Sequence, residues 1–206
     1  GMYQAKNSIV KKEHCLLVEG YTDVISLHQS GIENVVASSG TSLTIDQIKL
    51  IKRFTKNITL LFDGDTAGIK AALRGVNLIL QEGLNVKIVT FPDGEDPDSY
   101  AKKVSSEELE NYLYSEAKDF IEFKCSLLLD EAKNDPIKKA TLIKDIAATI
   151  ALIPDNIART VYAQTSSKIL DIDEQVIFTS IKQSHYNKTL SSTKPMEVVF
   201  SSPKQN

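Results

Sequence analysis

The chain has 206 residues, 42% of them hydrophobic, a formal net charge of −3 and two cysteines; it has the length for one large domain or two small ones with a real core. Cys15 and Cys125 belong to no CxxC or Cys/His cluster, which argues against a disulfide framework or zinc site and fits a reducing cytosol, and no signal-peptide pattern or apolar run of the ~20 residues that span a membrane is present. Residues 1–104 carry 12 Lys+Arg against 12 Asp+Glu and residues 105–206 carry 12 against 15, so neither half is the basic body of a protein that grips nucleic acid unaided.

Strand and helix patterns alternate through the first half. An apolar run over 14–19 (HCLLVE) predicts a strand, followed by a helix at about 21–30 and a second strand at 34–38 (NVVAS). Thr44 with Gln47 three residues on is a capping-box pattern, and its helix is expected to reach about Lys56. The third strand is expected at 57–63 (NITLLFD). A helix follows over 66–82, ended by Gly83, and then a fourth strand over 85–91. Such alternation predicts an α/β fold with right-handed βαβ units and a parallel four-stranded sheet. The doubly wound order 2-1-3-4 makes the first and third strands neighbours and sets the topological switch point between them, where open sheets bind ligands.

From Asp96 the pattern turns helical. Pro97 opens a short helix, and further helices are predicted at about 105–115, 118–133, 136–151, 154–169 and 173–185. Asp135-Pro136 and Pro154 supply cap and first-turn signals. The spacing of Phe120, Phe123, Leu127 and Leu128, and of Leu142, Ile146 and Ile150, gives the core-facing stripes of an all-α bundle. Beyond about Asn187 the composition becomes that of a linker or tail. The expected division is 1–103 for the sheet domain, 104–187 for a helical subdomain and 188–206 for the tail.

Five acids stand at or just past predicted strand ends: Glu19, Asp63, Asp65, Asp96 and Asp98. On neighbouring parallel strands they would gather at one sheet edge, where a cation relieves their repulsion. Carboxylates with water are the ligands Mg²⁺ prefers, usually beside substrate phosphates. Each also has a purely structural reading. Asp65 and Asp96 fit helix N-caps, Asp23 and the acids near Pro97 favour helix N-termini, and Glu19-Gly20 fits a strand end. An EF-hand fails, because its fifth and twelfth positions would be Ala67 and Arg74. A haloacid-dehalogenase-type phosphatase would carry its Asp-x-Asp on the first strand, with Thr where Ala67 stands. Ser38-Ser39-Gly40-Thr41, at the same edge, is either a plain loop or a place where a phosphate approaches the backbone. His14, His28 and His185 show no triad or metal spacing. There is no GxGxxG and no GxxxxGK[ST].

Glu-Gly after a first strand and Asp-x-Asp after a third resemble the two signatures of the Toprim domain. The wording LVEGYTDVISLHQSGIENVVASSGTSLT, LLFDGDTAGIKAALRG and FPDGEDPDSY is similar to the catalytic core of DnaG-type bacterial replicative primases. That likeness is strong over about 1–103 and weaker over the helices to about 187. By this resemblance Glu19 binds a catalytic metal or acts in proton transfer, Asp63 bridges metals and Asp65 binds the second. Asp96 and Asp98 match the acidic pair of a Gly-x-Asp-Pro-Asp motif, and Gly20, Gly64 and Gly94 match backbone glycines. The reaction implied is templated ribonucleotide polymerisation with Mg²⁺, or Mn²⁺ as substitute. The partners implied are a single-stranded DNA template, ribonucleoside triphosphates and the RNA primer, in the bacterial cytoplasm at the replication fork, with no membrane. A zinc-binding N-terminal domain, a basic N-terminal subdomain and a C-terminal domain for the replicative helicase would lie outside this sequence. The expectation is therefore an excised core that binds divalent metal but makes little RNA alone.

Two other readings share the motifs. One is a Toprim nuclease or topoisomerase-like strand cleaver, whose tyrosine nucleophile would be sought at Tyr21 or Tyr100. The other is a non-catalytic Toprim module that binds partners or nucleic acid and has no need of the acids.

Overall fold

The computed structural model of the chain describes residues 1–192 except 41, 64, 93, 133 and 134. Its elements, in order, are α1 (Met2–Lys12), β1 (Cys15–Val18), α2 (Tyr21–Gln29), β2 (Val35–Ala37), α3 (Ile45–Lys52), β3 (Asn57–Phe62), α4 (Thr66–Gln81) and β4 (Asn85–Thr90). There follow α5 (Pro97–Lys103), α6 (Ser106–Ser115), β5 (Lys118–Asp119), α7 (Phe120–Ala132), α8 (Pro136–Ile150), α9 (Asn156–Leu170) and α10 (Glu174–Ser192).

The sheet order is β2-β1-β3-β4-β5. The first four strands are parallel, with Leu17 beside Val36 on one side and Leu60 on the other. The expected order 2-1-3-4 therefore holds, but a fifth strand extends it. Lys118 and Asp119 pair antiparallel with Ile88 and Lys87. Two residues carry no period of their own, and 118 was expected to begin a helix. Tertiary pairing makes the strand, and the Asp119 side chain then accepts from the Ile121 N–H at 2.9 Å as α7 begins.

Strands covered on both faces are apolar throughout, and β1 is buried at every residue. One face buries Leu16, Val18, Leu61, Val89 and Phe91 against α2, α5 and α6. The other buries Cys15, Leu17, Ile58, Leu60, Val86 and Ile88 against α1, α3 and α4, and its core continues into α7–α10 through Phe120, Ile146, Ile150, Ala163 and Ile177. Leu109 and Leu113 of α6 belong to the first of these cores, so α6 packs on the sheet.

Three further boundaries differ from expectation. Helix α1 has only Ala5 and Ile9 buried, too faint a stripe to read from sequence. Helix α3 stops at Lys52, because the Thr55 hydroxyl donates to the Glu13 carbonyl and accepts from the Asn57 N–H, turning the chain into β3. Helix α10 runs on to Ser192, past the point where composition suggested a tail. Ser and Thr weaken a helix without forbidding it. The rest of the tail lies outside the described residues.

Candidate active site

The adjacency of β1, β3 and β4 brings their carboxyl ends together. Glu19 leaves β1 and Asp63 leaves β3. The segment after β4 reaches Asp96, the N-cap of α5, and Asp98 in its first turn.

Each loop is locked locally. Gly20 caps α2, and its N–H donates to Asp23 Oδ2 at 2.9 Å. Asp65 caps α4 and accepts from the Gly68 N–H at 2.6 Å. Asp96 accepts from the Ser99 N–H at 2.6 Å, while its own N–H donates to Ser99 Oγ at 3.0 Å. In the loop after β2, Ser39 and Gly40 adopt positive φ, and their N–H groups donate to the Glu19 carbonyl at 3.0 and 3.4 Å. The small residues after β2 thus fix the end of β1 and turn these N–H groups inward. Thr41 and Gly64 lie outside the described residues.

The acids share one electrostatic field. The Asp63 carboxyl is pushed above the usual carboxylate range, first by burial and then by Asp96, Glu19, Asp23 and Asp65. Asp23 is also raised, chiefly by burial and further by Asp96 and Asp98, while the N–H groups of Gly20 and Asp98 pull the other way. Asp98 stands apart. The Lys102 ammonium, 2.7 Å away, and the Ser26 hydroxyl hold it below the ordinary range.

Glu19, Asp63, Asp65 and Asp96 are thus brought together, whereas Asp98 is already paired. Among the described residues no three His, Cys, Asp or Glu side chains converge closely enough to hold an ion as placed. The donor set is all oxygen, and a divalent cation would relieve the crowding of charge at Asp63 without its taking up a proton; both suit Mg²⁺ or Mn²⁺.

Asp23 is the residue that sequence reasoning undervalued. It had only a helix-dipole role, yet it is buried and feels two of the five acids. Its signal was an acid at the third helical position after a capping glycine. Of the tyrosines, Tyr100 packs against Phe91 and Tyr112, with ring centroids at 5.4 and 4.6 Å, so core packing accounts for it. Tyr21 is exposed at the start of α2. His14 bonds Thr59 Oγ1 at 2.8 Å, a structural contact.

A carboxylate-lined switch point on this sheet defines a Toprim-type site, and comparison with known proteins agrees. The Toprim-like family profile matches residues 16–101, and the profile described as the DnaB-helicase binding domain of primase matches 121–175. The DNA primase of Staphylococcus aureus is 37% identical over 154 residues, 75% of this chain and 26% of that protein. A DNA primase domain from Pseudomonas aeruginosa superposes with a TM-score of 0.77 at 32% identity, over 88% of this chain and 58% of that one. A DnaG primase catalytic domain bound to ssDNA gives 0.75 at 32%, over 85% and 56%. The chain belongs to the DnaG-type primase family and corresponds to part of its catalytic core, spanning about a quarter of the curated relatives it matches.

Proposed function

We propose that the chain carries the Toprim part of a DNA primase, a DNA-directed RNA polymerase that makes short RNA primers on single-stranded DNA during replication. The observation that carries this reading is the half-buried Asp63 carboxyl in the joint field of Glu19, Asp23, Asp65 and Asp96. Two Mg²⁺ ions, or Mn²⁺ in their place, would align a primer 3′-hydroxyl with a nucleotide α-phosphate and neutralise the leaving pyrophosphate. Asp63 and Asp65 would hold the ions, Asp65 while capping α4, and Glu19 would be a further ligand or take the hydroxyl proton. A carboxylate has acceptor sites enough for a cap and an ion together. Asp96 and Asp98 form a second acidic wall, Asp98 joining it on release from Lys102.

Residues 1–103 would be the catalytic unit and 104–187 a helical subdomain, with the tail beyond α10. The helicase-binding profile over 121–175 supports contact of α7–α9 with the replicative helicase, in addition to any domain outside this chain. The likeness to a DnaG catalytic domain bound to ssDNA supports a single-stranded template.

The test is Mn²⁺ titration of the chain, of Asp63→Asn and of Glu19→Gln, with folding followed by circular dichroism. Binding that both folded variants lose supports the reading. Equal binding by all three sinks it and leaves the non-catalytic module.

A further inference from the structure

Helices α2 and α5 meet beside the acidic edge, and two hydrogen bonds cross between them in opposite senses. The Asp98 N–H donates to the Asp23 carboxylate, and the Ser26 hydroxyl donates to Asp98 Oδ1. Asp23 and Ser26 are both buried residues of α2. The other oxygen, Asp98 Oδ2, accepts from Lys102 at 2.7 Å. Val24, Leu27, Tyr100 and Ala101 belong to one apolar cluster that joins the same two helices.

The two side-chain partners of Asp98 hold it with unequal strength. Lys102 stands one turn on in the same helix, and its side chain is 64% exposed. Such i,i+4 pairs on a surface contribute little and are screened by salt. Ser26 is only 6% exposed, so water does not readily take its place, and a hydroxyl bond to an ionised carboxylate is of the stronger kind. The helices stay docked without that bond, because the backbone bond to Asp23 and the apolar contacts remain. What the Ser26 hydroxyl adds is the direction of the Asp98 side chain. The electrostatics follow that direction: Asp96, Glu19, Asp23 and Asp65 raise Asp63, whereas Asp98 bears on Asp23.

We propose that Ser26 is a positioning residue that ties the Asp98 carboxylate to α2 and so keeps a fifth acid from the ion at Glu19 and Asp63; this rests on the metal site proposed above. With the hydroxyl in place the ion meets Glu19, Asp63, Asp65 and Asp96. Lys102 lets go at little cost, and Ser26 sets the resistance that remains. A change of side-chain rotamer frees Asp98, so neither helix has to move. Cation affinity rises with ligand charge, and the hydroxyl therefore holds the site at the weaker of two settings.

The chain, Ser26→Ala, Ser26→Cys, Lys102→Ala, Asp98→Asn and the double variant Ser26→Ala with Asp98→Asn are titrated with Mn²⁺ by calorimetry, with folding followed by circular dichroism. Ser26→Ala should bind Mn²⁺ about tenfold more tightly than wild type, the low end for one bond to a charged group because Asp98 is itself a quarter exposed. Ser26→Cys, whose thiol is a weaker donor of similar size, should shift the same way by less. Lys102→Ala should change affinity by about twofold or less. Asp98→Asn keeps an oxygen that accepts from Ser26 but loses the charge, and in that background the alanine should give no gain. Loosened packing alone would lower affinity in both backgrounds, so a gain that needs the Asp98 charge belongs to positioning.

The inference falls if neither folded Ser26 variant gains affinity, if the gain persists in the Asp98→Asn background, or if Lys102→Ala gains as much as Ser26→Ala. The metal reading fails by a different result, Mn²⁺ binding that is absent from wild type or unchanged in Asp63→Asn, and the inference then falls with it.

Discussion

Gly68→Ala should weaken Mn²⁺ binding tenfold or more without unfolding the chain. A Cβ at this position would stand 2.5 Å from the Asp63 carbonyl oxygen and 3.2 Å from Asp65 Oδ1. The nearer neighbour is backbone and cannot swing aside. Reaching the 3.4 Å of ordinary contact moves α4 and the Asp63 carbonyl apart by roughly 0.9 Å. Metal sites hold their distances to about 0.2 Å, so an ion held jointly by Asp63 and Asp65, as proposed above, would lose its geometry. The stability terms oppose each other. Alanine in a helix gains up to ~1 kcal/mol over glycine, and forced overpacking costs about 1–3 kcal/mol, for a net loss between zero and about 3 kcal/mol. Urea unfolding reads the second quantity and calorimetric titration with Mn²⁺ the first. A variant about 1 kcal/mol more stable than wild type, binding Mn²⁺ with unchanged affinity, would refute the claim that this close approach fixes the acids.

The remaining expectations concern the rest of the molecule. Lys124 is almost fully buried between α7 and α8, donating to Asp145 at 2.8 Å and to the Thr149 hydroxyl at 2.6 Å. Asp145→Ala strands that ammonium. A fully buried pair would cost about 3–5 kcal/mol, but Asp145 is half exposed, so a loss of about 1–3 kcal/mol by urea unfolding is expected, and a loss below ~0.5 kcal/mol would contradict it. The Asp119 carboxyl is raised by burial, with the Ile121 N–H and Tyr162 offsetting only part. Its folded pKa thus lies above the ordinary value of about 3.9, and the stability it contributes in acid is lost as pH rises through that window. Asp119→Asn should therefore gain on wild type as pH rises above about 4, and a difference in urea midpoint that stays constant with pH would argue otherwise. Cys15 is fully buried with its thiol pushed up to about 12, and burial raises Cys125 to about 11. Neither should react with a thiol reagent near pH 8 until the chain unfolds, whereas rapid labelling of the native chain would contradict the burial.

Much of the fold was legible because the first half obeys local rules consistently. Thr44 and Gln47 form the capping box their spacing predicts, and Gly83 takes the positive φ that a helix end requires. What escaped the sequence is what only tertiary pairing creates. Lys118 and Asp119 become a strand because β4 offers an unpaired edge, and Ala5 and Ile9 make α1 a packed helix because a sheet face waits beneath them. At the site the motifs located the acids, but the pairing of Asp98 draws on a neighbour remote in sequence as well as on one a helical turn away. Ser26 on α2 and Lys102 one turn along α5 take up Asp98, and no spacing rule links residues 26 and 98.

The cap reading of these acids holds, and it leaves room for the metal reading proposed above. Helices α2, α4 and α5 all point their N-termini at the acidic edge, and Asp23, Asp65 and Asp96 each accept a backbone N–H there. The positive ends of three helix dipoles and these bonds offset part of the repulsion and fix the three carboxylates as a frame. Glu19 and Asp63 stand at strand ends, and among the described residues neither side chain has a hydrogen-bond donor of its own. The repulsion left uncompensated therefore falls on Asp63, which is half buried as well. A frame of capped acids around uncapped ones concentrates the demand for a cation at the junction of β1 and β3. On the metal reading proposed above, the capped acids would frame the site and the uncapped pair would meet the ion.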